Sequence, residues 1–318
     1  MDIILSLFAR FLVGLLQSLP LIWVAHLGRI LGILAYALDS RHRRVAIRNL
    51  TMCFGHEKTQ PEIRTLAREN FRRIGENFAC AIKTASMPLE EIRKHVEFKA
   101  PAQIMAPPPG HPPRSVVAAI GHFGNFELYA RFGQFAPAYK SATTYRGLRQ
   151  APLNRLLQSL RERSGCIFFE RRFEAAPLKA FMNQPGIMLG LLSDQSGGPG
   201  GLRLPFMGHN CSTTPAPALF ALRYDCALIA GICYRVGLAR WRIEGGPEIA
   251  TCENGQPRST AAIMLDINRA FEEAVRRDPA NWFWVLNRWK QATFRNPQPQ
   301  VQSSDSQATA IVRAEASK

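Results

Sequence analysis

The chain has 318 residues, of which 47% are apolar and 20% charged; this excludes a disordered polypeptide and is slightly rich in apolar groups for a wholly soluble body. A formal net charge of +16 draws the molecule toward polyanions, whether nucleic acid, an anionic bilayer or an acidic carrier. The seven cysteines form no CxxC pair, which argues against a disulfide framework or a closed zinc site and for ordinary small apolar side chains. From Ile3 to Leu38 the only basic or acidic side chains are Arg10, His26 and Arg29. Phe11 to Gly28 is eighteen residues without formal charge, a marginal length for a membrane span. Residues 1–40 are therefore expected to be a retained hydrophobic helical anchor, either spanning the bilayer or lying in one leaflet, with Arg41, Arg43 and Arg44 suited to anionic headgroups.

A basic helical region follows at Arg43 to Asn49, then a turn at Phe54 to His56. A helix is predicted from about Pro61 to Ala85, opened by Pro61 and Glu62, with Ala67, Phe71, Ile74, Phe78 and Ile82 as a core stripe. Prolines and Gly110 make Pro101 to Pro113 a connector. Beyond it, short apolar runs alternate with helical stretches. Strands are expected at Val116 to Ile120, Gly186 to Leu192, Cys226 to Cys233 and Trp241 to Ile243, with helices near Phe123, Thr214, Ala262 to Val275 and Trp282 to Trp289. This alternation predicts an α/β fold, one catalytic domain over residues 41–295 with a central sheet covered by helices on both faces. Residues 296–318, rich in Pro, Gln, Ser and Thr, are expected to be a disordered tail.

The passage VVAAIGHFGNFE, Val116 to Glu127, carries the chemistry. His122 follows an apolar strand at once, and the carboxyl ends of strands open onto ligand crevices in α/β sheets. Glu127 lies five residues on, about 140° away on a regular helix, but Gly121 and Gly124 allow the loop to turn the imidazole back toward the carboxylate. A histidine held by an acid on one ring nitrogen leaves the other to deprotonate an alcohol; from residue types alone, a buried histidine merely hydrogen-bonded to a helix is the favoured reading. Asp194 and Gln195 end a second apolar strand and precede Gly197, Gly198, Gly200 and Gly201, whose spacing matches neither a dinucleotide nor a P-loop fingerprint. Asp194 fits an acceptor-binding or supporting carboxylate, or a loop cap. Thr213 and Thr214 read as helix caps.

The ordered set of motifs resembles the bacterial lipid A biosynthesis acyltransferases, the late or secondary acyltransferases of the lysophospholipid acyltransferase superfamily. It comprises RRVAIRNL at Arg43 to Leu50, the His-x4-acid pair His122 and Glu127, Tyr145 with Arg146, Asp194 with Gln195, PFMG at Pro205 to Gly208, and the tryptophan-rich close through Arg288, Trp289 and Lys290. The resemblance implies a mixed sheet flanked by helices and an O-acyltransferase that moves a fatty acyl group from an acyl carrier protein or acyl-CoA thioester to a glycolipid or phospholipid hydroxyl. It implies no acyl-enzyme, no cofactor and no metal. His122 would be the general base and Glu127 its partner, with Arg146, Asp194, Gln195, Asn125 and Arg288 as substrate-binding or oxyanion residues. It also implies a cytoplasmic (inner) membrane location with the catalytic domain facing the cytoplasm. In one departure, the family usually carries a histidine two residues after the tryptophan matching Trp284, where this chain has Leu286, so the acceptor is less defined than the reaction. Nucleic-acid binding would leave the apolar N-terminus unexplained and finds no zinc-finger, RNP or zipper signature; a metallohydrolase lacks the HExxH pair.

Overall fold

The computed structural model describes residues 2–105, 110 and 112–290; the expected tail lies outside them. Four helices come first: α1 (Asp2–Ser18), α2 (Leu21–Leu38), α3 (Ser40–Phe54) and α4 (Gln60–Ser86). Pro20 and Asp39 break the first three from one another. Asp39 accepts the amide of His42 at the start of α3, satisfying an end-of-helix donor. The predicted start of α4 is a capping box, in which the Thr59 amide donates to the Glu62 carboxylate at 2.7 Å. Of its expected core stripe, Ala67 and Phe71 are buried, but Phe78 is 48% exposed; its ring meets Phe126 and Phe283 instead.

The rest of the chain alternates strand and helix. In order come α5 (Leu89–Arg93), β1 (Val96–Lys99), α6 (Ala102–Met105), β2 (Val116–Ile120), α7 (Phe132–Phe135), β3 (Lys140–Tyr145), α8 (Ala151–Arg161) and β4 (Ile167–Glu170). Then follow α9 (Ala175–Met182), β5 (Ile187–Leu192), the hairpin β6 (Leu202–Phe206) and β7 (His209–Thr213), α10 (Ala216–Arg223), β8 (Ala227–Gly237), β9 (Arg240–Glu248) and α11 (Thr260–Arg277). Seven strands form one sheet in the order β1-β9-β8-β2-β5-β3-β4. It is mixed: β8 and β9 are antiparallel, while β2 pairs in parallel with both β5 and β8.

The central strands are almost wholly apolar because both faces are occupied. Successive side chains point to opposite faces. Val117 and Ala119 enter the larger core with Ile263, Phe271 and Trp284, whereas Val116, Ala118 and Ile120 enter a smaller one with Met188 and Ile229. The tryptophan-rich close is not the expected helix. Only Pro279–Asn281 makes a single 3-10 turn, after which Trp282 bridges to Phe123. Two buried asparagines explain the difference. Asn70 donates to the carbonyls of Ala280 and Trp282, and Asn49 to those of Trp284 and Leu286, so carbonyls a helix would use internally are taken by side chains. The turns let Trp282, Trp284 and Trp289 pack together against Phe206 and Phe54.

Candidate active site

The sheet register builds the site. Ile120 of β2 pairs with Leu192 of β5, so His122 and Asp194 each stand two residues past the paired ends of adjacent parallel strands. Asp194 is 1% exposed. One oxygen, Oδ1, lies 2.8 Å from His122 Nδ1, and Oδ2 accepts both the His122 backbone N–H and the Trp282 indole N–H at 2.8 Å. Gly124 follows in the left-handed region at φ 51°, where a Cβ would stand 2.5 Å from the Cys233 carbonyl; only glycine lets the loop close so tightly on β8.

Burial pushes the Asp194 carboxyl up, but the charge of His122 and hydrogen bonds from His122 and Trp282 hold it below its ordinary value. It is thus a buried carboxylate facing the Nδ1–H of His122, and Nε2 is the nitrogen left to accept a proton. The His122 ring is 16% exposed at its side chain, with Phe126 edge-on at 4.8 Å and Phe283 stacked at 6.0 Å between centroids.

The expected contact between His122 and Glu127 is replaced. Glu127 forms a two-pronged pair with Arg161, at 3.1 Å and 2.7 Å. The physical reason is the position of Asp194: it already occupies Nδ1, while Glu127 enters a 3-10 turn, Phe126–Arg131, whose face meets the end of α8. The Arg161 guanidinium also lies over Phe168 at 4.7 Å, and its Nη1 is buried without a protein partner. Arg161 carried no signal in the sequence beyond its place near the end of an amphipathic helix.

Gln195 brings its amide 3.1 Å from His122 Nδ1. Asn125 is buried beside the histidine, with both side-chain polar atoms unpaired. Arg146 is exposed at the rim of the groove described below. Arg288, expected to touch substrate, is instead 2% exposed and donates to the carbonyl of Gln195, to Asn268 and to Thr213; it holds the Asp194 turn from behind. Thr213 accepts from Arg288 and is no helix cap, whereas Thr214 accepts the Ala216 amide.

His122, Phe126 and Glu127 line two spaces. The smaller adjoins Asn125, Phe78 and Phe283. The larger is a groove of about 960 Å³ that runs over the β2, β5 and β8 face of the sheet. Its floor includes Ala118, Ile120, Met188, Gly190, Ile229 and Gly231, and Arg146, Arg171 and Arg172 also line it. A groove with an apolar floor and a lining that includes His122 and several cations suits a molecule with a long hydrocarbon chain and a polar or anionic head.

Against known proteins, the family described as bacterial lipid A biosynthesis acyltransferase matches residues 2–291, and the chain belongs to it. No curated protein matches the chain. Membership makes the chain an acyltransferase, with an acyl donor and a lipid acceptor as its partners in general terms.

Proposed function

We propose that this member of the lipid A acyltransferase family moves a fatty acyl group from a thioester, on acyl carrier protein or coenzyme A, to a hydroxyl of a lipid A precursor or similar glycolipid at the cytoplasmic membrane. The observation that carries this reading is His122, held at Nδ1 by a buried carboxylate and lining a groove with an apolar floor. In the reaction, the acceptor hydroxyl gives its proton to Nε2 of His122 as its oxygen attacks the thioester carbonyl. Asp194 stabilises the imidazolium that forms. The tetrahedral oxyanion collapses, the carbon–sulfur bond breaks, and the thiolate leaves with the proton held by His122; an ester and a thiol result.

Arg161, a cation that lines the groove with His122, is the donor best suited to the oxyanion, with Glu127 fixing its plane. The acyl chain lies along the glycine-lined floor, and Arg146 at the rim binds phosphate of the donor or acceptor. The net charge of +16 favours an acidic carrier as donor through long-range attraction. Leu286 in place of the family's usual histidine is the feature that favours an acceptor other than the lipid A precursor, such as another membrane glycolipid. Single-turnover transfer from an acyl carrier thioester tests the reading. His122→Ala should lose about 10²- to 10⁴-fold in rate while remaining folded; a folded variant with near-parental rate excludes His122 as the base.

A further inference from the structure

We propose that α1 and α2 do not cross the membrane but lie together in the plane of one leaflet of an anionic bilayer. By length and apolarity α2 passes for a span, since its eighteen residues reach about 27 Å against a hydrocarbon layer of about 30 Å. Its packing forbids it. Leu21, Val24, Ala25, Gly28 and Gly32 are buried on one face. Gly28 and Gly32 meet Gly75 and Phe71 of α4 so closely that a Cβ on Gly32 would stand 2.2 Å from the Phe71 carbonyl. Arg29, near the middle of α2, donates to Glu76 at 3.0 Å. Glu76 is wholly buried, and its carboxylate also receives Arg235 and the Ala239 amide. A spanning α2 would either tear Arg29 from this site or drag Glu76, Glu69, Arg72 and Arg73 of α4 into hydrocarbon with it.

The opposite face of α2 is made for lipid. Ile22, Trp23, Leu27, Ile30, Leu31 and Leu34 are all exposed, at the spacing of a single helical stripe. Of the eighteen exposed large apolar side chains among the described residues, twelve lie on α1 and α2, which makes this one concentrated surface and not scattered exposure. The junction of α1 and α2 stays against the body as well: Gln17 of α1 donates to the Ile82 carbonyl, and Lys83 of α4 donates to the Gln17 carbonyl. The charge agrees with the occupant. Arg10, Arg41, Arg44 and Arg48 are exposed beside the apolar stripe, and an amphipathic surface with flanking cations seats itself at the boundary of headgroups and chains in anionic leaflets.

Depth measurement in vesicles decides the matter. Cysteines placed singly at Trp23, Ile30 and Leu38, exposed positions along α2, are labelled with a fluorophore in the full-length protein carrying Cys252→Ser. The label is then quenched by lipids bearing nitroxides at shallow or deep chain positions. In-plane seating predicts similar quenching at all three sites, stronger from the shallow nitroxide. A span separates Trp23 from Leu38 by about 22 Å along the axis and puts Ile30 deepest; that profile, or no quenching at any site, overturns the proposal. Binding to vesicles with about one-third phosphatidylglycerol should exceed binding to pure phosphatidylcholine by at least about tenfold and fall with salt. Equal affinity for the two would refute the anionic preference. These readouts do not use acyl transfer, so their failure is distinct from failure of the proposed reaction.

Discussion

Replacing Asp194 by asparagine leaves the shape of the turn and changes which nitrogen of His122 holds the proton. The carboxylate receives three donors: two on Oδ2, from the His122 amide and the Trp282 indole, and one on Oδ1, from the ring. Asparagine has one carbonyl oxygen and one NH2. With its oxygen in the Oδ2 position both fixed donors are kept, but the NH2 then faces Nδ1, and the ring must carry its proton on Nε2, where it cannot act as a base. The opposite orientation keeps the active tautomer and sets the NH2 against two buried donors. Each unsatisfied donor costs about 1–3 kcal/mol, so the active arrangement lies about 2–6 kcal/mol uphill, a loss of roughly 30- to 20,000-fold at 1.4 kcal/mol per decade. Single-turnover acyl transfer beside a melting curve measures it. Glu127→Gln acts by another route, loosening Arg161, so its loss should overlap with that of Arg161→Lys in the double variant and combine independently with Asp194→Asn. A folded Asp194→Asn enzyme at parental rate, with Glu127→Gln inactive, would refute the assignment of Asp194 and restore Glu127 as the partner of the base.

Ionised Asp194 is favoured in the folded state, so its folded pKa lies below the ordinary 3.8; the stability it confers is present above that value and is lost as pH falls through the folded pKa. The melting-temperature gap between the parent and Asp194→Asn should therefore be constant at neutral pH and narrow below about pH 4; a gap that widens in acid contradicts the sign. Gly231→Val should shift donor preference toward shorter acyl chains, because a Cβ there already stands 3.0 Å from Ile120 and the methyls project into the groove. Comparing kcat/KM for carrier thioesters of graded length checks this, and an unaltered preference would remove the groove as the acyl site. Gly75→Ala should destabilise by about 1–3 kcal/mol, since its Cβ would collide with the Gly28 carbonyl and force α2 from α4; a urea titration with an unchanged midpoint would show that the helices are not so tightly engaged.

Periodicity made the scaffold legible. The long α4, the strands at Val116 and Gly186 and the final helix α11 announce themselves through apolar spacing, and the predicted flanked sheet is present as a mixed seven-stranded one. The strands β1, β3 and β4 were illegible because each is four to six residues long and carries polar groups, too short for alternation to stand out. Trp282 to Trp289 looked helical from its apolar spacing, but Asn49 and Asn70, more than two hundred positions away, take its carbonyls. His122 stands out in the sequence through its placement at a strand end. Proximity in sequence favours Glu127 as the carboxylate beside its ring, whereas adjacency of parallel strands, which brings residue 194 to residue 122, follows from strand order and register. The distinct duty of Arg288 was hidden likewise: an arginine's burial under Gln195 is a tertiary fact.

The clamp of Asn49 and Asn70 on the tryptophan-rich close has a consequence in time. A chain emerging from the ribosome at about 5–20 residues per second presents Asn70 roughly 10–40 s before Trp282, which it grips through a separation of 212 positions. The apolar helices α1 and α2 are made earlier still, with α4 close behind to pack against α2. Once made, Asp194 lacks the indole that shares its Oδ2 until Trp282 follows, and Ser193 and Gln195 lack the guanidinium of Arg288. The unfinished polypeptide thus carries its exposed apolar surface while His122 still faces an incompletely bonded carboxylate. The order of synthesis completes the apolar surface of α1 and α2 before it completes the shell of donors around Asp194.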